Sequence, residues 1–295
     1  MFGRLLPLLA VTVLASTLTG CGTTGGDGRP TVVASFYPLQ YLVESIAGDR
    51  VRVVDLTQPG VEPHDLEPQV QQVAEVASAD LVVYSGGLQP AVDRTVEENA
   101  ADHHLDVRDV VHLTGDNPHF WLDPLRMIKA ATAIEARLAE VDPAGAGTYA
   151  ANLRSLTATL TSLDHAYAAG LQHCARNLVV TSHDAFGYQT RYGLRFAPIA
   201  GLAPDTEPSP AHLNQLRDLI RTEHITTVFS EAIASPKLAD TLAHDLGLST
   251  GVLDPIEGLV KGSTQDYSSL MRTNLDALRL ANGCPGSPTD GKATG

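Results

Sequence analysis

Short apolar runs alternate with amphipathic stretches along most of this chain. Thr31 to Phe36 (Thr-Val-Val-Ala-Ser-Phe) is β-branched and apolar, which predicts a buried strand. A helix over about 39–48 follows, then a strand at 51–56 and a helix from Pro68 to about 77. The run at 80–84 predicts a strand ended by Gly86-Gly87, followed by a helix over roughly 90–100 and a short strand at about 106–111. From Pro124 to Glu140 the pattern is helical.

Asp142-Pro143 then opens something longer. Leu153, Leu156, Leu160, Leu163, Tyr167 and Leu171 recur at intervals of three and four, so one face of a helix of roughly 30 residues is apolar. Such a helix spans about 40 Å by its rise and reads as a packing element running alongside both halves of the chain. Beyond it the alternation resumes. Strands are predicted at 177–181, 194–199, 226–230 and 248–253, and helices to about 192, from Ser209-Pro210, from Ser235-Pro236 to about 244, and over about 267–282. Strand and helix alternating at short spacing predicts an α/β protein with mostly parallel sheets. The chain reads as two similar lobes, each a sheet flanked by helices, joined by one long rigid backbone helix. The expected organisation is an N-terminal lobe at 30–142, the linking helix at 143–173, a C-terminal lobe at 174–284 and a disordered tail at 285–295.

Composition changes this picture little. The 295 residues are room for about two ordinary domains, and 43% hydrophobic with 18% charged residues is globular. Lys+Arg 20 against Asp+Glu 34 gives a net charge of −14, which argues against a nucleic-acid partner because phosphate binding needs clustered cations. The same excess favours small cations near the surface, although solubility alone accounts for it.

The first residues resemble an export signal, with a basic start at Met1–Arg4, an apolar core over 5–14, and Leu18-Thr19-Gly20-Cys21. The apolar run is too short, and too soon interrupted, for a transmembrane helix. Leu-Thr-Gly-Cys resembles a bacterial lipobox, so residues 1–20 are read as a lipoprotein signal peptide and Cys21 as the lipidated residue. The alternative is a secretory signal cut elsewhere. Residues 21–29 then form a flexible tether, and the protein is expected outside the cytoplasm, touching the membrane only through its anchor. In an exported protein the remaining pair, Cys174 and Cys284, reads as a disulfide tying the end of the long helix to the C-terminus.

Four residues carry the candidate chemistry. Glu62-Pro63-His64-Asp65-Leu66-Glu67-Pro68 and Asn117-Pro118-His119-Phe120-Trp121-Leu122-Asp123-Pro124 each hold a histidine between prolines, in backbone stiffened on both sides. His183 follows the strand at 177–181, and Asp254 follows the strand at 248–253. Ligands of open parallel sheets bind outside the carboxyl ends of the strands, so His64, His119, His183 and Asp254 could converge on one cleft between the lobes. Three imidazoles and a carboxylate make a competent tetrahedral zinc set.

These motifs, with Thr181-Ser182-His183-Asp184-Ala185-Phe186-Gly187-Tyr188 and Leu253-Asp254-Pro255, resemble the metal-binding receptors of ABC transporters, the group that includes high-affinity zinc- and manganese-uptake proteins. The resemblance covers essentially the whole mature chain in order. It implies two α/β lobes bridged by a rigid helix, with His64, His119, His183 and Asp254 as ligands in the inter-lobe cleft. Histidine at the third position points to zinc receptors, where manganese receptors usually carry glutamate, and imidazole suits Zn²⁺ better than Mn²⁺. The expected function is capture of one Zn²⁺ by a monomer and its delivery to an ABC membrane permease. Related zinc receptors often carry a long His- and acid-rich loop between the first two ligands. This chain offers only Asp102-His103-His104, Asp106 and His112, so His103, His104 and His112 form at most an auxiliary site, and loading could depend on a periplasmic zinc chaperone. Glu207 and Glu231 resemble family positions near the cleft, either of which could orient an imidazole. His165, His173, His212, His224 and His244 read as surface residues of helices.

A zinc hydrolase is the rival class. Catalytic zinc keeps an open position, whereas a fourth protein ligand closes the shell. The chain also has no His-Glu-x-x-His helix and no Gly-x-Ser-x-Gly elbow, so it is not expected to be an enzyme. An adhesin role could coexist with metal binding.

Overall fold

The computed structural model describes residues 28–286. The signal peptide, Cys21, most of the tether and nearly all of the tail lie outside the described residues. The first sheet contains β1 (Thr31–Ala34), β2 (Arg52–Asp55), β3 (Leu81–Tyr84) and β4 (His104–Asp106), all parallel, in the order β2-β1-β3-β4. Side chains alternate across it as the pleat requires. Val32, Ala34, Leu81 and Val83 face α1 (Tyr37–Ala47) and α5 (Pro124–Val141), while Val33 and Val82 face α2 (Val70–Ser78) and α3 (Pro90–Asn99). Both faces being covered explains why these strands read as continuous apolar runs.

The strand predicted at 106–111 lies earlier, at His104–Asp106, and shares only Asp106 with the expected span. Asp106 turns its carboxylate back to accept the N–H groups of Gly86 and Arg108, both at 2.9 Å, and Arg108–Val111 becomes a single helical turn, α4. An aspartate that captures the amide two residues ahead favours a turn over ladder pairing.

The long helix, α6 (Ala146–Gly170), has 25 residues and so spans about 38 Å. It starts later than its pattern predicts because Asp142 caps a separate 3₁₀ turn at Pro143–Gly145. Leu156, Leu160, Leu163 and Tyr167 form its buried face, as the periodicity requires.

The second sheet repeats the topology of the first. β5 (Leu178–Thr181), β6 (Arg195–Pro198), β7 (Thr227–Ser230) and β8 (Ser249–Val252) lie in the order β6-β5-β7-β8, again all parallel. Leu178, Val180 and Val228 pack under α7 (Pro210–Thr222) and α8 (Lys237–Leu246). The opposite face, through Val179 and Phe229, joins the core of the first lobe. The helix expected to about 192 is a 3₁₀ segment, Phe186–Tyr192. The last helix, α9 (Tyr267–Asn282), begins at an Asp266/Ser269 capping box and ends at Gly283, whose φ of 62° is the left-handed stop glycine takes without strain.

One core therefore runs through both lobes. Trp121 is its centre: fully buried, edge-on to Phe36 at 4.8 Å, donating its indole N–H to the Pro255 carbonyl at 2.7 Å. Tyr267 Oη donates back to the Trp121 carbonyl at 2.5 Å. Cys174 and Cys284 are bonded, fastening α9 beside the end of α6 across a separation of 110 residues. Among the described residues no helix is long and apolar enough to cross a membrane.

Candidate metal centre

The carboxyl ends of both sheets face the same cleft, and three histidines reach it by different routes. His64 sits in the irregular stretch after β2, its own N–H held by Glu62 at 3.2 Å. His119 stands between Pro118 and a 3₁₀ turn, Phe120–Leu122, that leads to the Asp123 cap of α5. His183 lies two residues beyond β5, its carbonyl held by Thr181 Oγ1 at 3.0 Å. The fourth group is Glu257, in the loop between β8 and α9.

The four donor atoms sit close together. Nε2 of His119 is 3.3 Å from Nε2 of His64 and 3.2 Å from Nε2 of His183. Oε1 of Glu257 is 3.4, 2.9 and 3.2 Å from Nε2 of His64, His119 and His183. Donors about 2.0–2.1 Å from a tetrahedral zinc ion are separated by about 3.3–3.4 Å, close to these five spacings, and all four donor atoms lie within 4.8 Å of one another. The His119, His183 and Glu257 side chains are buried, and that of His64, at 9% exposed, is the one nearest solvent.

The surroundings bias each group. Burial holds His119 down to about 4, and the Glu257 hydrogen bond only partly opposes it. Burial also lowers His183, but carboxylates on both of its nitrogens, Glu231 and Glu257, more than reverse this and carry it up to about 10. Burial raises Glu257, yet hydrogen bonds to His119, His183 and His64 bring it well below the usual carboxylate range. At the rim, burial and the nearby Glu257 raise Glu62 to about 7.

Behind the donors, His119 and His183 are each held from the far side. Nδ1 of His183 lies 2.5 Å from Glu231 Oε1, which also accepts from Ser182 Oγ. Nδ1 of His119 lies 2.8 Å from Asn117 Oδ1. Of the two glutamates that sequence placed near the cleft, Glu231 is the buried one that reaches an imidazole, whereas Glu207 is exposed.

The structure brings His64, His119 and His183 together but leaves Asp254 outside the group. Asp254 Oδ1 accepts the Ile256 N–H at 2.8 Å, and Asn274 of α9 clamps the Asp254 main chain from both sides, at 2.9 and 2.6 Å. Asp254 thus builds the turn, and Glu257, three residues on, enters the cleft. Burial raises the Asp254 carboxyl to about 6. Sequence reasoning took the first acid after the strand. The only available signal was a second carboxylate in the same loop, and the turn that chooses between them includes Ile256 at φ 57°, a conformation a β-branched residue rarely adopts.

His103, His104 and His112 are not gathered into a site. His103 uses Nδ1 on Asp102 and faces the Val76 carbonyl with Nε2, His104 directs Nδ1 to the Ala100 carbonyl, and His112 is exposed. Among the described residues, the cluster of His64, His119, His183 and Glu257 is the only such group able to hold an ion. His165, His173, His224 and His244 are exposed, and His212 is half-buried against the Pro198 carbonyl.

Comparison with known proteins agrees with this architecture. The chain is 34% identical over 301 residues to the zinc-binding lipoprotein AdcA of Streptococcus pneumoniae, covering 92% of this chain but only 60% of that protein. It is 33% identical over 291 residues to the high-affinity zinc uptake system protein ZnuA of Bacillus subtilis, covering 90% of this chain and 91% of that one. Among solved structures, the Zn(II)-bound ZnuA-like domain of Streptococcus pneumoniae AdcA superposes with a TM-score of 0.76 at 34% identity, over 86% of this chain and 99% of the domain. The family model described as zinc-uptake complex component A, periplasmic, matches residues 32–281, and the chain belongs to that family.

Proposed function

We propose that this protein is an extracytoplasmic receptor that captures one Zn²⁺ ion between its lobes and delivers it to the permease of an ABC importer. The observation that carries this is the set of four donors, three imidazole nitrogens and one carboxylate oxygen, gathered within 4.8 Å of one another with three of the four residues buried. Such a donor set suits Zn²⁺, whereas Mn²⁺ and Ca²⁺ favour larger, oxygen-rich shells. Glu257, rather than Asp254, is the fourth ligand in this reading. The carboxylates of Glu257 and Glu231 together offset the charge of a divalent ion in a buried site.

Four protein ligands leave a tetrahedral ion no open position for an activated water, which supports binding and transport over hydrolysis. The zinc-uptake relatives support the same direction of function. Delivery to a permease, anchoring through Cys21, a monomeric state and loading by a periplasmic zinc chaperone belong to this proposal. The test is metal analysis of protein purified without added metal, followed by competition between Zn²⁺ and Mn²⁺. One zinc per chain, retained against excess manganese, is expected; a protein that takes up no zinc, or prefers manganese, overturns it.

A further inference from the structure

Asp254 uses only one of its two carboxylate oxygens, and the residue forms part of a cavity wall. It is 7% exposed, and Asn274 pins its main chain at 2.9 and 2.6 Å. Oδ1 accepts the Ile256 N–H at 2.8 Å, whereas Oδ2 meets neither a donor nor a cation among the described residues. The cavity holds about 460 Å³ between the turn after β8 and the segment leading into α9. Small-molecule sites in proteins run from roughly 300 to 1,000 Å³. None of the four zinc donors lines it.

The lining offers three kinds of contact. Val252, Leu259 and Leu270 give an apolar side, and Thr273 adds a hydroxyl from α9. Lys261 brings an ammonium group that makes no ion pair or hydrogen bond among the described residues. One cavity therefore carries two opposite charges that do not pair with each other. A simple cation would be drawn to Asp254 and repelled by Lys261, and a simple anion would meet the reverse. A molecule with both an ammonium and a carboxylate, on a small apolar body, satisfies each group. A carboxylate removed from water gains most from such a partner, because charge-assisted hydrogen bonds are the strong ones and solvent screens them least. The clamp on Asp254 also fixes its carboxylate before any ligand arrives, which lowers the ordering cost of binding.

We propose that this cavity is a second binding site, for a small zwitterion of the amino-acid type, with the ammonium taken by Asp254 Oδ2 and the carboxylate by Lys261. The proposal is independent of the zinc reading. Equilibrium dialysis of the full chain against labelled L-leucine tests it, on zinc-free and zinc-loaded protein. Saturable binding is expected in both forms. Isopentylamine and isocaproate keep the apolar body and one charge each. They should compete roughly ten- to a hundredfold less well, the worth of one charge-assisted hydrogen bond. D254N and K261Q should each weaken leucine binding by a similar factor, and K261Q should not weaken that of isopentylamine. T273W fills the cavity from an exposed position of α9 whose hydroxyl bonds only the Ser269 carbonyl, at 3.0 Å, so it should abolish binding in a folded protein.

No saturable binding of L-leucine overturns the proposal, as does binding that D254N, K261Q and T273W all leave unchanged. Equal competition by isopentylamine and isocaproate overturns it too, because the cavity would then read only the apolar body. Should D254N fail to fold, K261Q and T273W decide, both lying at exposed positions. Leucine chelating a bound zinc ion would bind the loaded protein alone and survive all three substitutions, which also counts against the site.

Discussion

The assignment of Glu257 over Asp254 rests on a turn of three residues, and a pair of isosteric substitutions separates the two. E257Q keeps the size and an oxygen donor but removes the charge from a side chain that is 2% exposed. With three neutral imidazoles around a divalent ion, Glu257 is the one donor that carries negative charge, so E257Q removes the charge nearest the ion in a buried site. Removing one partner of a buried pair costs about 3–5 kcal/mol. At about 1.4 kcal/mol per decade, zinc affinity is expected to fall by roughly two to three and a half orders of magnitude. D254N keeps the acceptor for the Ile256 N–H and removes a charge that touches none of the donor atoms. Its affinity should stay within about threefold, a change below about 0.7 kcal/mol. Competition against a zinc chelator at fixed neutral pH measures both, with thermal melts showing that each variant is folded. D254N losing more affinity than E257Q would falsify the assignment and return Asp254 to the shell.

Four further outcomes follow from the same geometry. His183, carried up to about 10, holds a proton at neutral pH in the zinc-free protein, whereas His119 at about 4 is already neutral. Imidazole must be unprotonated to ligate, so zinc must expel at least one proton. Lowering the pH should weaken binding by about tenfold per unit for each proton expelled, and calorimetry in buffers of different ionisation enthalpy that detects no proton release refutes this. Trp121, the single tryptophan, has its ring 5.1 Å from that of His119, so its fluorescence should change as zinc saturates the site; a flat titration contradicts the placement. Reducing Cys174–Cys284 opens a cross-link spanning 110 residues, for which the chain-entropy account gives about 4–5 kcal/mol at most; a denaturant midpoint that does not move argues against it. Because one core containing Trp121, Leu160 and Tyr267 runs through both lobes, small-angle scattering of zinc-free and zinc-loaded protein should show no large lobe rotation, and a clear change in radius of gyration would sink that expectation.

The burial of the central strands explains why so much of the fold was legible. β1, β3 and β5 are buried on both faces, so their sequences are near-continuous apolar runs that stand out from the amphipathic helices between them. Pro124 after Asp123 and Pro210 after Ser209 mark their helix starts because capping and proline geometry are local. Where a side chain competed with the backbone, the pattern misled: Asp106 ended β4 where a strand was expected to begin, and Asp142 delayed the start of α6. Both are short-range captures of an N–H that hydrophobic periodicity does not register.

The candidate site divides along the same line. Sequence alone determined the lobed α/β plan and three of the clustered residues, because His64 and His119 stand between prolines that stiffen their loops and His183 directly follows a strand. Tertiary structure alone decided the fourth donor and the outer partners. Glu257 faces the cleft only because Asp254 folds back on Ile256 and Asn274 clamps the turn, and Asn117 and Glu231 matter only once the two lobes have brought Asp184 and His183 beside them. Apart from the Asp254–Ile256 turn, those contacts join residues 20 to 67 positions apart. Side-chain direction at such a junction is set by packing between elements, and no local spacing encodes it.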